Sequence, residues 1–415
     1  MKGDGMTSVS GPARARRPSD RREQISVHAR ALFAERGFHS VRMSDIADAT
    51  GITPRALYRH YANKQALLSH VLFEAQGAFL SALPELTPGY DPARLPDDLH
   101  AMARASLAVP YMARLWKREA RHLDPEGSRA LRARLNDMAS GLARAIRLRR
   151  PDLEPVEVTV RAWATIAVLN SHGEAPLGSG DAEQTAALLS AAALAVVDHD
   201  IRAGEPGAWP EPGGRAPVSR REQLIAIAAD TFQRSGFDGA SVDGIAAEAG
   251  LAGPAIYRYF DSKTAMLVAI ADRFGEWVSL ETIRALRTAT SDAAAPAAMV
   301  AGYVRLAAEA VNLLGVTVTE AHHLPPDAAE RLARARGEHL QEWAHWTRAA
   351  RPERSDSATQ MLAHTARVLV DDTVRTPRVM HTDGAVDAVA GAATAVLEAP
   401  VNRPLRTAGS AVREG

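Results

Sequence analysis

Apolar residues recur at helical spacing along most of the chain. Ile25, Ala29 and Phe33 lie four residues apart, which predicts a helix with one buried face, and Gly37 follows where a helix needs a left-handed cap. Longer Ala-, Leu- and Arg-rich stretches of the same period predict helices over Leu99–Glu119, Ser128–Arg149, Val156–Ser171, Asp181–Arg202, Ala297–Ala321, Asp327–Ala350, Ser355–Asp371 and Gly384–Glu398. No stretch shows the alternation of a half-buried strand, so the pattern predicts an all-α protein.

An internal repeat divides the sequence into two equivalent parts. Residues Arg22–Leu68 align without a gap with residues Arg221–Leu267, at an offset of 199, and 16 of the 47 pairs are identical. Between the copies, residues 203–217 contain eight glycines and prolines, which exclude a helix there. We therefore predict two similar halves joined by a linker.

Each copy contains a short helix, a turn and a second helix. In the first copy, Ser44–Thr50 is the predicted supporting helix and Gly51 makes the turn. Thr53 is a favourable N-cap and Pro54 a favourable first residue for the second helix, predicted over Pro54–Tyr61. This order of elements is typical of a helix-turn-helix.

The predicted second helix has an apolar face and a basic face. Leu57 and Tyr61 are four residues apart and share the inward face. Arg55 and Arg59 therefore point outward together, where an arginine can donate two parallel hydrogen bonds to guanine in a major groove. Lys64 opens the next helix, in a place suited to a backbone phosphate. The pattern predicts a DNA-reading helix.

These residues resemble the DNA-binding domain of the TetR family of bacterial repressors. The first copy reads SDIADATGITPRALYRHYANKQALL after LFAERGF, and the second copy reads GLAGPAIYRYFDSKTAML. The resemblance covers about 50 residues in each half. Two copies in one chain resemble the rarer tandem members, including the repressor type of an actinobacterial mammalian-cell-entry operon.

Carried over by position, the resemblance implies contacts with a double-stranded DNA operator. In copy one these involve Met43, Ser44, Thr53, Pro54, Arg55, Ala56, Tyr58, Arg59, His60 and Lys64, and in copy two Gly253, Pro254, Ala255, Tyr257, Arg258, Tyr259 and Lys263. In the family, the start of the helix reads bases, while the tyrosine, the residues after it and the lysine touch phosphates. Copy two has Ala252 in place of the threonine cap, Pro254 in place of an arginine, and Asp243 in place of a serine. We expect copy one to be the stronger DNA-binding half; the alternative is that copy two makes no DNA contact.

Regional charge favours the same half. The whole chain is neutral, with 49 basic and 49 acidic residues, but residues 1–70 carry 12 Lys/Arg against 6 Asp/Glu, while residues 215–275 carry 7 of each. The charge that attracts any DNA sequence is therefore concentrated in copy one. Arg14, Arg16 and Arg17 form a basic arm that is a candidate for the minor groove, with a solvated tail as the alternative.

The predicted organisation follows from these boundaries. It comprises a disordered basic arm (1–18), a first helix-turn-helix domain (19–70), a first helical ligand-binding and dimerisation domain (71–203), a Gly/Pro linker (204–217), a second helix-turn-helix domain (218–270), a second helical domain (271–400) and a disordered tail (401–415). The last two long helices of each half are expected to pack together as a four-helix bundle, which makes the chain a pseudo-dimer. The alternative is that these helices form only the core of their own half. Since the halves differ, we expect an asymmetric operator. Further self-association is left open.

The resemblance also implies a cavity for a lipophilic small-molecule effector. Candidate lining residues are Met102, Tyr111, Trp116, Trp163 and His172 in the first half, and Met299, Tyr303, His322, Trp343 and Trp346 in the second; core packing is the alternative for each. Few of them are charged, so a neutral effector is favoured. We expect it to release a repressor from DNA, with an effector-free architectural DNA-binding protein as the alternative.

Composition argues against enzymatic chemistry. There are no cysteines, which excludes thiol nucleophiles and thiolate metal sites. Glu320, His322, His323 and His339 are possible metal ligands, but no two histidines have the spacing of a helical metal motif. We expect no enzyme activity, metal or cofactor. The longest apolar run is too short to span a bilayer, so we predict a cytoplasmic, nucleoid-associated protein.

Overall fold

The structure, a computed structural model, describes residues 18–84, 87, 89–174, 181–201 and 217–401. Helices account for the secondary structure of these residues, which include no strand, so the all-α prediction is confirmed. The predicted basic arm with Arg14, Arg16 and Arg17, nearly all of the linker and nearly all of the tail lie outside the described residues.

The helices of the two halves follow each other in the same order. Half one contains α1 (Pro18–Arg36), α2 (Met43–Thr50), α3 (Pro54–Tyr58), α4 (Lys64–Leu80), α5 (Leu95–Leu107), α6 (Met112–Glu119), α7 (Pro125–Arg149), α8 (Pro155–Asn170) and α9 (Ala182–Asp198). Half two contains α10 (Arg220–Gly239), α11 (Val242–Glu248), α12 (Lys263–Thr288), α13 (Ala295–Glu309), α14 (Val311–Thr319), α15 (Pro326–Ala350), α16 (Asp356–Val374), α17 (Pro377–Met380) and α18 (Ala385–Glu398). Short 3-10 turns lie at Pro92–Arg94, Ala120–His122, Ser171–Glu174, Gly253–Arg258 and Ala321–His323.

Two stretches that the sequence predicted as single helices are broken. The first is interrupted between α5 and α6 around Pro110, because a proline interferes with the hydrogen bonds of the preceding turn. The second is broken at Ala310, where α13 and α14 meet at an angle of 92°. Among the described helices none alone is long and apolar enough to cross a bilayer, and only this bent pair reaches that composition together.

Each helix-turn-helix domain has a small core of its own. In half one, Ile25 and Phe33 of α1 pack with Ile46 of α2 and Leu57 of α3, all fully buried. The corresponding residues of half two form a separate core. Gly37 (φ +79°) follows α1, and Gly236 (φ +73°) lies at a kink near the end of α10. Both have the positive φ that the sequence predicted, and this conformation favours glycine.

The rest of the chain forms a single core shared by both halves. Helices α8 and α9 pack against α16 and α18 as a four-helix bundle. Just after α8, Ser171 Oγ lies 3.1 Å from Thr365 Oγ1 of α16, and His364 Nε2 lies 3.1 Å from the carbonyl oxygen of Ser171. The halves are therefore joined as an intrachain pseudo-dimer, as predicted.

Buried arginines fix the ends of the bundle helices. Arg161 is 1% exposed and donates to the carbonyls of Val196 and His199 at 2.7 Å each, at the end of α9. Arg354 donates to the carbonyl of Ala399 at 2.8 Å, just beyond α18. A cation at a helix C-terminus satisfies carbonyls that lack partners within the helix and interacts favourably with its dipole.

Candidate DNA-binding surface and effector cavity

The reading segment of half one is a capped helix with a basic outer face. Thr53 Oγ1 accepts a hydrogen bond from the backbone N–H of Ala56 (3.2 Å) at the start of α3. Tyr58 is 52% exposed, and Arg55 and Arg59 are exposed on either side of it. The helix ends at Tyr58, earlier than predicted, but the outward direction of both arginines agrees with the sequence.

The reading segment of half two has a different backbone. Residues Gly253–Arg258 form a 3-10 helix, and Ala252 provides no side-chain cap. Pro254 and Arg258 are exposed, and the exposed Asp243 carboxylate lies so close to Gly253 that a Cβ there would be 2.8 Å from Asp243 Oδ1. The two segments therefore present unlike surfaces, as the substitutions in copy two led us to expect.

The two lysines predicted to touch phosphate are used inside the domains instead. Lys64 Nζ donates to the carbonyls of Phe38 (2.6 Å) and Val41 (2.8 Å), and lies 4.2 Å from the ring centroid of Phe38. Burial lowers the pKa of Lys64. Lys263 makes the equivalent hydrogen bonds at 2.6 and 3.0 Å. The phosphate prediction does not agree with these positions, because each ammonium group stabilises the loop between its first two helices.

The other predicted contacts fall into three groups by exposure. Met43 is 9% exposed and belongs to the domain core, so its predicted role in DNA contact is not supported. The exposed residues are Ser44, Thr53, Pro54, Arg55, Tyr58 and Arg59 in half one, and Pro254, Tyr257 and Arg258 in half two. Half-buried beside them lie Ala56, His60, Gly253, Ala255 and Tyr259.

A second repeated motif, which the sequence analysis missed, lies behind these domains. Residues 119–125 read EARHLDP and residues 320–326 read EAHHLPP, at an offset of 201. Glu119 Oε2 accepts the backbone N–H of Phe38 at 3.0 Å, and Glu320 Oε2 accepts that of Phe237 at 3.0 Å. Each helical domain thus holds the loop of its own DNA-binding domain. A search at more than one offset would have found this motif.

The two motifs meet through an ion pair between the halves. Arg121 of half one forms an ion pair with Glu320 of half two, and a Cβ at Gly236 would lie 2.9 Å from Arg121 Nη1. In half two, His322 stands in the place of Arg121. We call Arg121, Glu320 and the Phe237 N–H the clasp. His322, predicted to line an effector cavity, lines a space of about 480 Å³ beside the clasp, because the motif places it between the two DNA-binding domains.

The two glutamates differ in their electrostatic surroundings. Burial raises the pKa of Glu119, and the N–H of Phe38 and the charge of Arg118 do not reverse this effect. Burial also acts to raise the pKa of Glu320, but hydrogen bonds and charge from Arg121, with further hydrogen bonds, hold it below its ordinary value. The clasp is therefore an ionic contact between the halves.

The comparison of the sequence with known protein families finds the same domain in both halves. Residues 25–71 and 224–270 each match the family described as "Bacterial regulatory proteins, tetR family". Each half of the chain therefore carries one segment that matches this family.

Curated relatives match over the DNA-binding region and a little beyond. The transcriptional regulator UidR of Escherichia coli K12 is 33% identical over 86 residues, which are 21% of this chain and 40% of UidR. The transcriptional repressor KstR2 of Rhodococcus jostii RHA1 is 41% identical over 54 residues, 13% of this chain and 26% of KstR2. The chain thus spans less than half the length of these relatives.

Solved structures match about one half of the chain. A TetR-family regulator from Bordetella parapertussis aligns with a TM-score of 0.40 and 19% identity, over 43% of this chain and 93% of that chain. The ketosteroid regulator KstR2 of Mycobacterium tuberculosis aligns with a TM-score of 0.40 and 18% identity, over 44% of this chain and 95% of that chain.

Behind the TetR-type domain of half one lies a cavity of about 170 Å³. Among the predicted effector contacts, Trp116 and Trp163 line it. Further lining residues are Gln76 and Phe79 of α4, Met112, Ala113, Lys117, Leu135, Met138, Ile166, Ala167 and Asn170, together with Asp372, Thr373, Arg375 and Thr376 from half two. None of these further residues was among the predicted contacts, and the last four were beyond sequence reasoning because sequence proximity gives no sign of a contact between halves.

The remaining effector candidates have other positions. Met102, His172, Met299 and Trp343 are buried in the core, as the packing alternative held. Tyr111 is 39% exposed at the surface, and half-buried Trp346 donates to Glu342 (3.1 Å). Tyr303 donates to Asp371 Oδ1 (2.6 Å) and lines a cavity of only about 20 Å³ in half two. These corrections reflect the tendency of large side chains at helical spacing to fill space.

Of the histidines considered as metal ligands, His322 and His323 are neighbours with ring centroids 4.0 Å apart, whereas His339 lies in another part of half two. Glu320 is engaged by Arg121, and His323 stacks on Phe237 with ring centroids 4.7 Å apart. His339 lies 5.0 Å from the ring of Trp343. Among the described residues no group of three or more His, Asp or Glu side chains has a geometry that could hold a metal ion.

The buried histidines predict acid-sensitive stability. His339 is 6% exposed, and burial, with a smaller effect of Arg367, lowers its pKa to about 3. As the pH falls below about 6.5, the unfolded chain takes up a proton that the folded chain excludes, so the free energy of unfolding falls by at most about 1.4 kcal/mol per pH unit from this group. Urea unfolding at about pH 7.5, 6 and 5 measures this slope.

Two variants separate this histidine from the rest of the chain. His339→Gln should flatten the pH dependence of the free energy of unfolding, since glutamine does not titrate. His345→Gln changes an exposed histidine of the same helix and should leave the slope unchanged. Equal slopes for the wild type and His339→Gln would contradict the assignment.

Proposed function

We propose that this TetR-family chain is a DNA-binding transcriptional regulator of the repressor type. The proposal depends chiefly on the capped helix α3, which presents Arg55, Tyr58 and Arg59 together to solvent. Exposed arginines on a short helix that packs against the rest of its domain can enter a major groove and donate hydrogen bonds to base edges. The names of UidR and KstR2, both transcriptional regulators, support the same class.

The operator is proposed to be asymmetric. A symmetric dimer reads two equal half-sites, because its two-fold axis places identical residues on both. Here half one offers Arg55 on an α-helix, while half two offers Pro254 on a 3-10 helix. Proline has no guanidinium with which to read guanine, so the bases preferred by the two halves differ.

Release by an effector is the remaining part of the proposal. Helix α4 begins at Lys64, which holds the loop of the DNA-binding domain, and carries Phe79 on the wall of the cavity. These two residues are about 22 Å apart along a rigid helix. In a conformer with a different position of α4, the reading domains no longer have the spacing that DNA requires. A molecule that binds this conformer more tightly raises its population, to an extent set by the difference in its affinity for the two conformers.

The direct test is binding to DNA from upstream of the protein's own gene. We expect a gel shift that persists against excess random competitor at an ionic strength of about 0.15 M, where non-specific contacts are screened. A footprint should show two unlike half-sites. A perfect inverted repeat would contradict the asymmetric operator, and loss of the shift to random competitor would contradict the regulator itself.

A further inference from the structure

The cavity of half one has an apolar wall and a polar end. Phe79, Trp116, Leu135, Met138 and Trp163 supply apolar surface. Its volume of about 170 Å³ is comparable to that of an engineered dry cavity of about 150 Å³ that accepts a benzene-sized molecule. The space therefore suits a small aliphatic or aromatic body.

The polar end is assembled from both halves. Lys117 of half one has a side chain only 8% exposed, and its Nζ lies 2.7 Å from Asp372 Oδ1 of half two. Arg375, one turn further along the chain at the end of α16, also lines the cavity. Two cations and one carboxylate leave this end with one net positive charge.

The guanidinium of Arg375 is incompletely satisfied. Its Nε and Nη1 are buried and have no hydrogen-bond partner among the residues that the structure describes, and Nη1 is 3.9 Å from Asp372 Oδ1, beyond hydrogen-bond distance. Burying a charged donor without a partner is costly. A carboxylate suits such a group, since its two oxygens match two N–H donors of the planar fork.

The same region of half two is filled and neutralised. At the offset of 201, Met138 corresponds to His339 and Asn170 to Asp371. Asp371 accepts from Tyr303 and is 3.2 Å from Arg367 Nη2. Only about 20 Å³ of cavity is left there. Of the two cavities, only the one in half one therefore places an unsatisfied cation, Arg375 of half two, beside an open apolar space.

We propose that half one binds one amphipathic carboxylate per chain, with its apolar body against Trp116 and Trp163 and its carboxylate on Arg375 of half two. This inference rests on the proposed effector-responsive function and names the chemical class of the effector. It replaces the neutral effector favoured by the sequence, because the decisive cation comes from the other half. A ligand held in this way touches both halves at the seam between them.

The test compares carboxylates with alcohols of the same chain length. The full-length protein is titrated with hexanoate, octanoate, hexanol and octanol, with tryptophan fluorescence and calorimetry as readouts. We expect one site per chain, and at least one carboxylate should bind about tenfold or more tightly than its alcohol, as expected for a charge-assisted hydrogen bond. Equal affinities for hexanoate and hexanol and also for octanoate and octanol, or two binding sites per chain, would overturn the proposal.

Two variants locate the head group. Arg375→Met should lower carboxylate affinity about tenfold or more and leave alcohol affinity unchanged. Arg378→Met removes an exposed arginine of the adjacent helix α17 and should change neither. Unchanged carboxylate binding by a folded Arg375→Met protein would also overturn the proposal, and if that variant unfolds, the carboxylate–alcohol comparison on the wild type decides.

A parallel gel shift separates this inference from the proposed function. If the wild-type protein retains operator DNA but shows no preference for carboxylates, only the ligand class is wrong. If the protein shows no sequence preference for DNA, the regulator is wrong whatever the cavity binds. Release of operator DNA by octanoate from the wild type, but not from Arg375→Met, would support both together.

Discussion

Arg59→Ala is expected to weaken operator binding by about 10- to 100-fold, while Arg258→Ala weakens it only a few-fold. An arginine with two hydrogen bonds to a base or a tight contact to DNA contributes about 1–3 kcal/mol. Arg59 is exposed directly after a capped α-helix, beside Tyr58 and Arg55. Fluorescence anisotropy on labelled operator at fixed salt measures both losses.

The smaller loss at Arg258 follows from its surroundings. Its reading segment has Pro254 in the place of an arginine, and the exposed carboxylate of Asp243 lies beside Gly253. Residues 215–275 have no net charge, whereas residues 1–70 carry 12 basic and 6 acidic residues. DNA affinity depends strongly on the number of phosphates neutralised, so half two begins with less affinity to lose.

The two arginines are matched controls for each other, because they occupy the same position of the repeat. Arg378→Ala, at an exposed arginine of α17, tests whether removal of any surface charge weakens binding. A loss at Arg258 equal to or greater than that at Arg59 would show that half two is the stronger reader. The preference for half one would then be wrong.

The features that could be predicted from the sequence are those with a local cause. The buried face of α1 and the N-cap at Thr53 depend on residues within a few positions of each other, so their spacing is sufficient. The left-handed glycines after the first helices were predictable for the same reason. The repeat then extended each local prediction to the second half.

Features with distant partners were not predictable in the same way. Lys64 looked like a phosphate contact because its position is near the reading helix, but the carbonyls that it binds lie 26 and 23 residues earlier. The sequence analysis assigned no role to Arg375, because only the packing of the halves places it on the cavity. Trp343 looked like a ligand contact, yet it is fully buried in the core, since periodicity cannot tell a filled space from an empty one.

Glu320→Gln is expected to destabilise the protein by about 1.5–3 kcal/mol and to reduce operator affinity. Glu320 is 0% exposed, and its carboxylate accepts from Arg121, Thr319 Oγ1 (2.7 Å) and the Phe237 N–H (3.0 Å). The side chain of Arg121 is 27% exposed, so water compensates part of its charge, and the magnitude is that of losing charge-assisted hydrogen bonds. The clasp also joins the two halves next to the Gly236 loop, so its loss loosens the spacing of the reading domains. Urea unfolding and operator anisotropy measure the two effects.

Glu119→Gln is the matched control, since Glu119 accepts the Phe38 N–H in the same way but makes no ion pair with half two. Burial raises the pKa of Glu119, so its carboxyl group has less ionic stabilisation to lose, and glutamine still offers an oxygen to the N–H. We therefore expect a clearly smaller loss of stability at Glu119.

Arg121→Gln combined with Glu320→Gln should cost less than the sum of the two single changes, because both break the same ion pair. Equal losses at Glu119 and Glu320, or strict additivity in the double variant, would show that the contact between the halves contributes no more than the two loop hydrogen bonds.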